Sequence, residues 1–106
     1  MVADRVKGHL DGLLLAVLEP APLHGYAVIE ALQRRSGGSL DLPTGTVYPA
    51  LRRLEEAGWL SGQWSEVAGR RRRTYRLTAA GRRALAEHRV GWSQFAGTIE
   101  AVLNQT

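Results

Sequence analysis

Four consecutive arginines, Arg70 to Arg73, follow Gly69 and form the densest positive charge in the chain. A run of like charge repels itself unless a polyanion neutralises it, and guanidinium groups suit phosphate oxygens and guanine edges. The 106-residue chain has a net charge of +4, with 13 arginines and a single lysine. A GC-rich genome would also favour arginine over lysine, but it would not explain the cluster. The run therefore favours nucleic acid as a partner, although such runs are also typical of solvated loops.

A second set of polar residues lies on the stretch GTVYPALRRLEEAGWL, residues 45–60. Helical spacing puts one apolar side toward a core: Val47, Ala50, Leu51, Leu54 and Ala57. We predict that Thr44 caps this helix and that Gly58 ends it. The remaining side carries candidate DNA contacts: Thr44, Thr46, Tyr48, Arg52 and Arg53. Hydroxyls and free amides suit phosphates, and tyrosine and arginine suit phosphates or base edges. The alternative is an ordinary solvated face on which Arg52 pairs with Glu56.

Residues that could catalyse a reaction or bind a metal are not grouped in the sequence. There is no cysteine, no glycine-rich phosphate loop and no nucleophile paired with a base. His9, His24 and His88 do not lie at a metal-ligand spacing, and we expect His24 to cap or pack the start of a helix. The sequence therefore predicts no enzyme, no metal site and no cofactor.

The longest apolar run, residues 13–18, is too short to span a bilayer, and no signal peptide of the usual kind precedes it. We therefore expect a cytoplasmic protein that does not enter a membrane.

Five elements are predicted to position these residues. Helices are expected over residues 6–18, 25–36 and 44–57, and a β-hairpin over residues 59–67 and 73–77 around the turn AGRRR. A long helix, capped by Thr78, should run to about Asn104. This order predicts a mainly α fold with a small β-hairpin (α+β), a winged helix-turn-helix. We assign residues 1–78 to a DNA-binding domain and residues 79–106 to a C-terminal dimerisation helix.

The last helix carries an apolar seam with spacings of three and four residues: Leu85, His88, Trp92, Phe95, Ile99 and Val102. A core this small cannot cover so long a stripe, so a second copy of the chain is the natural cover. The first helix is apolar on all sides over LLLAVL, which adds Leu14 and Leu18 to the predicted interface. A homodimer would bind a pseudo-palindromic operator on double-stranded DNA. Trp92 is then either dimer core or the wall of a site for a flat ligand.

Three segments resemble the PadR family of bacterial transcriptional regulators: LHGYAVIEAL, LPTGTVYPALRRLEEAGWL and RRRTYRLTAAGRRAL. The resemblance covers residues 10–85 and implies a dimeric winged-helix repressor of the short subgroup, with one helix after the wing. It also implies DNA contacts by Tyr26, Thr46, Tyr48 and the wing arginines Arg70, Arg71 and Arg72.

Some short members of this family bind planar drugs between paired tryptophans. The resemblance therefore implies release by a planar aromatic effector at Trp92 and Phe95. Ala27 stands where an acidic residue is common in the family, which leaves the local contacts of the second helix open. The rival hypothesis from another class is a winged-helix module whose arginines bind an acidic protein surface and not DNA.

Overall fold

The structure, a computed structural model, describes residues 8–104. In chain order these residues form α1 (Leu10–Leu18), β1 (Leu23–His24), α2 (Gly25–Arg35), α3 (Thr44–Glu56), β2 (Leu60–Val67), β3 (Arg70–Leu77) and α4 (Ala79–Leu103). Three helices, a hairpin and a long helix confirm the predicted α+β fold class of a winged helix-turn-helix. The predicted first turn of the first helix, residues 6 and 7, lies outside the described residues.

The sheet has three antiparallel strands in the order β1-β3-β2, one strand more than the predicted hairpin. The additional strand, β1, pairs Leu23 with Tyr75 and His24 with Thr74 of β3. Two residues are too few to produce an alternating pattern, so the sequence gives no sign of this strand. Its pairing fixes the start of α2 against the wing.

The hairpin turn consists of Ala68 and Gly69, whose φ angles are 53° and 77°. Two successive positive φ angles are those of a type I′ turn, which matches the twist of the two strands it joins. β3 consequently begins at Arg70, so the prediction of a five-residue turn and a strand start at residue 73 is wrong. The arginines alternate between the two faces of a strand and do not gather at a flexible tip.

The core lies where α1 contacts the other three helices and β3. Leu14, Leu18 and Leu85 are 0%, 2% and 2% exposed within this core. Burial in their own subunit leaves these three side chains no surface to offer a second copy, which corrects the prediction that they line a dimer interface. The apolar stretch LLLAVL of α1 is mostly covered by its own chain, with Leu13 and Ala16 partly exposed.

The ends of α3 follow from backbone hydrogen bonds. Pro43, and not Thr44 as predicted, is the N-cap, and its carbonyl accepts from Thr46 N and Val47 N at 3.0 and 3.1 Å. At the other end Gly58 has a φ of 82°, and Trp59 N donates to Leu54 O at 3.0 Å. This is a Schellman motif, and it confirms that Gly58 ends the helix.

Thr78 caps α4 as predicted and also ties it to the turn after α3. Its Oγ1 accepts from Gly81 N at 3.0 Å and donates to Gly58 O at 2.6 Å. Gly81 is buried so close to this turn that an added Cβ would lie 2.0 Å from the carbonyl oxygen of Trp59. The N-terminal end of α4 therefore packs directly against the backbone of the turn that follows α3.

The C-terminal part of α4 extends past the core. Within residues 89–104 every side chain is exposed except that of Ala96, which is half-buried. The longest dimension of the molecule is accordingly 59 Å, against 28 and 21 Å for the other two.

Candidate nucleic-acid interface

An open groove of about 940 Å³ runs between α3, the start of α2 and the β2–β3 hairpin, which is the wing. Aromatic and basic side chains dominate its lining: Tyr26, Tyr48, Trp64, Tyr75, Arg52, Arg70, Arg71, Arg72 and Arg73. Six of the nine predicted DNA-contacting residues are thus brought together, although they come from three separate elements. Thr44, Thr46 and Arg53 do not line the groove.

Tyr48 and Tyr26 form the aromatic part of the groove. Tyr48 is 41% exposed and lies on α3, whereas Tyr26 is 55% exposed and lies in the first turn of α2. The Tyr48 ring packs against Gly25, where an added Cβ would be 2.9 Å from Tyr48 Cε1. Gly25 therefore permits a close approach of the two helices, and one face of the Tyr48 ring remains open to the groove.

Thr44 and Thr46 are exposed in the first turn of α3, beyond the edge of the groove. The first amides of a helix have no intrahelical acceptor and carry the positive end of the helix dipole. This turn is thus suited to a phosphate oxygen.

Arg53 is held away from the groove. Its Nη1 and Nη2 donate to the two carboxylate oxygens of Asp11 on α1 at 2.8 and 2.9 Å. These hydrogen bonds raise the pKa of Arg53. Its side chain joins α3 to α1 and is 57% exposed, so the prediction that Arg53 contacts DNA stays a prediction for a residue outside the groove. Arg52, in contrast, lines the groove, and within residues 8–104 it forms no ion pair with Glu56.

The wing arginines have different contacts. Arg71 lies with its guanidinium carbon 4.7 Å from the centre of the Trp64 ring, a cation–π geometry. The guanidinium carbon of Arg73 lies 5.3 Å from the centre of the same ring, and its Nε donates a hydrogen bond to Glu55 of α3. Arg72 Nη1 lies 2.8 Å from Nε2 of His24. Of the four, only Arg70 has no side-chain contact of these kinds within residues 8–104.

His24 caps α2, as the sequence suggested, by accepting from Ala27 N on its Nδ1 at 3.3 Å. Its other ring nitrogen faces Arg72, a permanent donor. The contact places Arg72 beside the start of α2, so β1, α2 and the wing meet at one histidine.

A second cluster of aromatic side chains lies on α4, outside the groove. The rings of His9 and Trp92 meet edge to face at 5.1 Å, and those of Trp92 and Phe95 are 6.1 Å apart. His88 packs against Gly12 so closely that an added Cβ would be 2.2 Å from its ring. The cluster fixes α4 against the first turn of α1.

The apolar seam of α4 is largely uncovered. Trp92, Phe95 and Ile99 are 50%, 51% and 40% exposed, and Val102 is 72% exposed. On the flank of α4, Arg89 donates two hydrogen bonds to Glu19 at 2.8 and 3.0 Å, which lowers the pKa of that carboxyl. The structure thus holds α4 at a defined angle and leaves its seam bare.

Two kinds of feature are absent from residues 8–104. No helix there is long and apolar enough to cross a membrane. No three acidic, histidine or cysteine side chains in residues 8–104 are grouped so that they could hold a metal ion.

Sequence reasoning missed Trp64 and Glu55 as parts of this site, and it counted Arg73 only as a member of the arginine run. Trp64 had a signal, since an aromatic residue on a strand beside an arginine run suggests a cation–π contact. No sequence signal indicated the ion pair of Glu55 with Arg73, because the two residues are 18 positions apart and meet only where the wing packs on α3.

Comparison with known proteins agrees with this geometry. The profile of the "Transcriptional regulator PadR-like family" matches residues 14–87. The transcriptional regulator Rv3488 of Mycobacterium tuberculosis is 40% identical over 77 residues, which cover 73% of this chain and 69% of that protein. A PadR family transcriptional regulator from Eggerthella lenta is 30% identical with a TM-score of 0.87, over 100% of this chain and 91% of that one. A transcriptional regulator from Clostridium thermocellum shares the fold at a TM-score of 0.88 and 23% identity, over 94% and 98% of the two chains.

Proposed function

The chain belongs to the PadR-like family of transcriptional regulators, and on that premise we propose that it is a homodimeric repressor that recognises a pseudo-palindromic operator. The observation that carries the proposal is the groove in which Tyr26, Tyr48 and Arg52 face the arginines of the wing. An aromatic and basic groove beside an exposed helix suits a duplex, whose phosphates lie on both sides of the major groove.

In this proposal α3 enters the major groove. Tyr48 and Arg52 reach base edges or the flanking phosphates, and the first turn with Thr44 and Thr46 contacts one backbone strand. The wing contacts the neighbouring phosphates through Arg70 and Arg71. Arg72 joins them only if it leaves His24 or reaches past it.

We propose that residues 79–106 form the dimerisation helix and residues 1–78 the DNA-binding domain. The uncovered seam of Trp92, Phe95, Ile99 and Val102 supports this division, since contiguous exposed apolar surface marks an interaction site. A partner helix packed along this seam would pair two recognition helices by two-fold symmetry.

The effector proposal rests on Trp92 and Phe95, which are half exposed beside the ring of His9. Three aromatic rings at the expected dimer interface offer flat faces to a planar aromatic compound. Such a compound would act on DNA binding from α4, at a distance from the groove.

A gel-shift titration with the duplex upstream of the protein's own coding region tests the proposal. We expect binding at least about 10³-fold tighter than to a scrambled duplex of equal length, and release when planar aromatic compounds are added. Equal, weak binding to both duplexes would instead support the alternative, a module that binds an acidic protein surface.

Replacing Tyr48 with alanine should relax the sequence preference by about 1–3 kcal/mol at one position of each half-site. The melting temperature should change little, because the buried residues Val47, Leu51 and Leu54 are untouched and the ring is 41% exposed. Binding to a panel of single-base operator variants measures the effect. A uniform loss across the panel would assign Tyr48 to a phosphate, and a large loss of stability would assign it to packing on Gly25.

A further inference from the structure

The contact between Arg73 and Glu55 joins the wing to the recognition helix. Arg73 lies opposite Trp64 in the hairpin, and its Nε donates to Glu55 Oε1 at 3.1 Å while Nη2 bonds the other carboxylate oxygen. Both side chains are about three-quarters buried, at 27% and 25% exposure. Glu55 lies in the last turn of α3, so this pair connects two elements that must contact the same duplex.

Gly62 makes this contact possible. The guanidinium of Arg73 crosses β2 directly above Gly62, where an added Cβ would lie 2.7 Å from Arg73 Nε and 2.9 Å from Cζ. Any other residue at this position would push the guanidinium aside. The cost to the fold would be small, because the displaced atoms are the end of a flexible side chain.

Apart from the pairing of β1 with β3 and the contact of Arg72 with His24, the outer part of the wing is held mainly through this ion pair. Trp64 and Val67 are 57% and 52% exposed, and an isolated hairpin is only marginally stable. Arg73 also packs against Trp64, and Trp64 in turn carries Arg71 on its ring. A series of contacts therefore runs from Glu55 through Arg73 and Trp64 to Arg71, a proposed phosphate contact.

We propose that Glu55, Arg73 and Gly62 are positioning residues that set the angle between wing and recognition helix, and that Arg73 is not itself a phosphate contact. The inference rests on the proposed function, since it specifies how the DNA-binding groove is held open. Charge alone would predict that removal of an acidic residue strengthens binding to a polyanion, and the proposal predicts the opposite. Removing Glu55, an acid in a groove for a polyanion, should weaken DNA binding and not strengthen it.

The test compares Glu55→Gln, Arg73→Gln, the double variant and Gly62→Ala with the wild type, by fluorescence anisotropy on the operator duplex at several salt concentrations. Each variant should bind about tenfold more weakly, and the double variant no more weakly than either single one, because the two residues act through one contact. The slope of log affinity against log salt should not change, whereas Arg71→Gln should reduce it by about one per subunit.

Glu56→Gln is the matched control, since Glu56 is exposed on the same helix and forms none of the ion pairs within residues 8–104. It should bind as tightly as the wild type or more tightly. Tighter binding by Glu55→Gln, or a reduced salt slope for Arg73→Gln, would overturn the proposal, because either result makes Arg73 an ordinary phosphate contact.

A measurement without DNA separates this inference from the proposed function. Hydrogen exchange of the amides in residues 63–73 should be faster in Glu55→Gln and Gly62→Ala, while exchange in α1 and α2 stays as in the wild type. If the wild type binds no duplex, the proposed function fails and the exchange data still decide the positioning role. Unchanged exchange in the wing would refute it.

Discussion

Gly81→Ala is expected to lower the free energy of unfolding by about 3 kcal/mol, which is the upper range for inserting a methyl group into a filled site. The added Cβ would lie 2.0 Å from the carbonyl oxygen of Trp59, a backbone atom that has no rotamer to escape into. Relief would require α4 to move away from the turn that follows α3, which would also strain the hydrogen bond from Thr78 to Gly58. At about 4–8 °C per kcal/mol for a domain near this size, Tm should fall by at least about 12 °C.

Gly97→Ala is the matched control for this experiment. Gly97 lies in the same helix, and an added Cβ there meets nothing within 4 Å in its own subunit. Alanine is favoured over glycine within a helix by up to about 1 kcal/mol, so Tm should rise or stay the same. Thermal unfolding of both variants at one protein concentration makes the comparison. Equal Tm values for Gly81→Ala and the wild type would show that α4 can accommodate the added methyl group without disturbing its packing on the turn.

Ile99→Asp is expected to dissociate the dimer and to weaken operator binding by about 10²–10⁴-fold, since two linked half-sites gain affinity of this size. Ile99 lies in the uncovered seam of α4, where a second copy would bury it and an unpaired carboxylate would be strongly unfavourable. The folding of the winged-helix part should be unaffected, because Ile99 follows the core residue Leu85 by almost four helical turns.

Ala101→Asp introduces the same charge two residues later, about 200° around the helix from Ile99. Ala101 is exposed and lies off the seam, so this variant should remain dimeric and bind operator normally. Sedimentation velocity and gel shifts on both variants give the result. A wild-type protein that sediments as a monomer at micromolar concentration would contradict the dimer, and an intact Ile99→Asp dimer would move the interface elsewhere.

Much of the site followed from local pattern. The apolar residues of α3 recur with the period of a helix, and this alone identifies Tyr48 and Arg52 as outward-facing, as the structure confirms. Thr78 and Gly58 were found for a similar reason, because caps depend on backbone geometry within a few residues. Predictions of this kind use only neighbours along the chain.

The errors arose where distant parts of the chain decide the outcome. Arg53 resembles Arg52 in the sequence, and its ion pair with Asp11, 42 residues away, is what the local pattern could not predict. Leu85 fits the seam of α4, but a heptad pattern does not distinguish a helix packed on its own core from one packed on a partner. The helix packs on its own core at Leu85, whereas its later stretch, which includes Phe95, is exposed.

The four arginines of the wing have a consequence for how its strands align. Sliding β3 by one residue against β2 would put Arg72 opposite Trp64 in place of Arg73, and sliding it by two would put Arg71 there. A guanidinium would reach the same neighbourhood in every case, so the run itself cannot distinguish correct from slipped pairing. A slip of one residue would, however, turn Tyr75 and Leu77 out of the core. Alignment of the wing is therefore specified by its apolar base and its two-residue turn, and a one-residue insertion or deletion in the turn should disturb the pairing of β2 with β3 more than replacement of a single arginine.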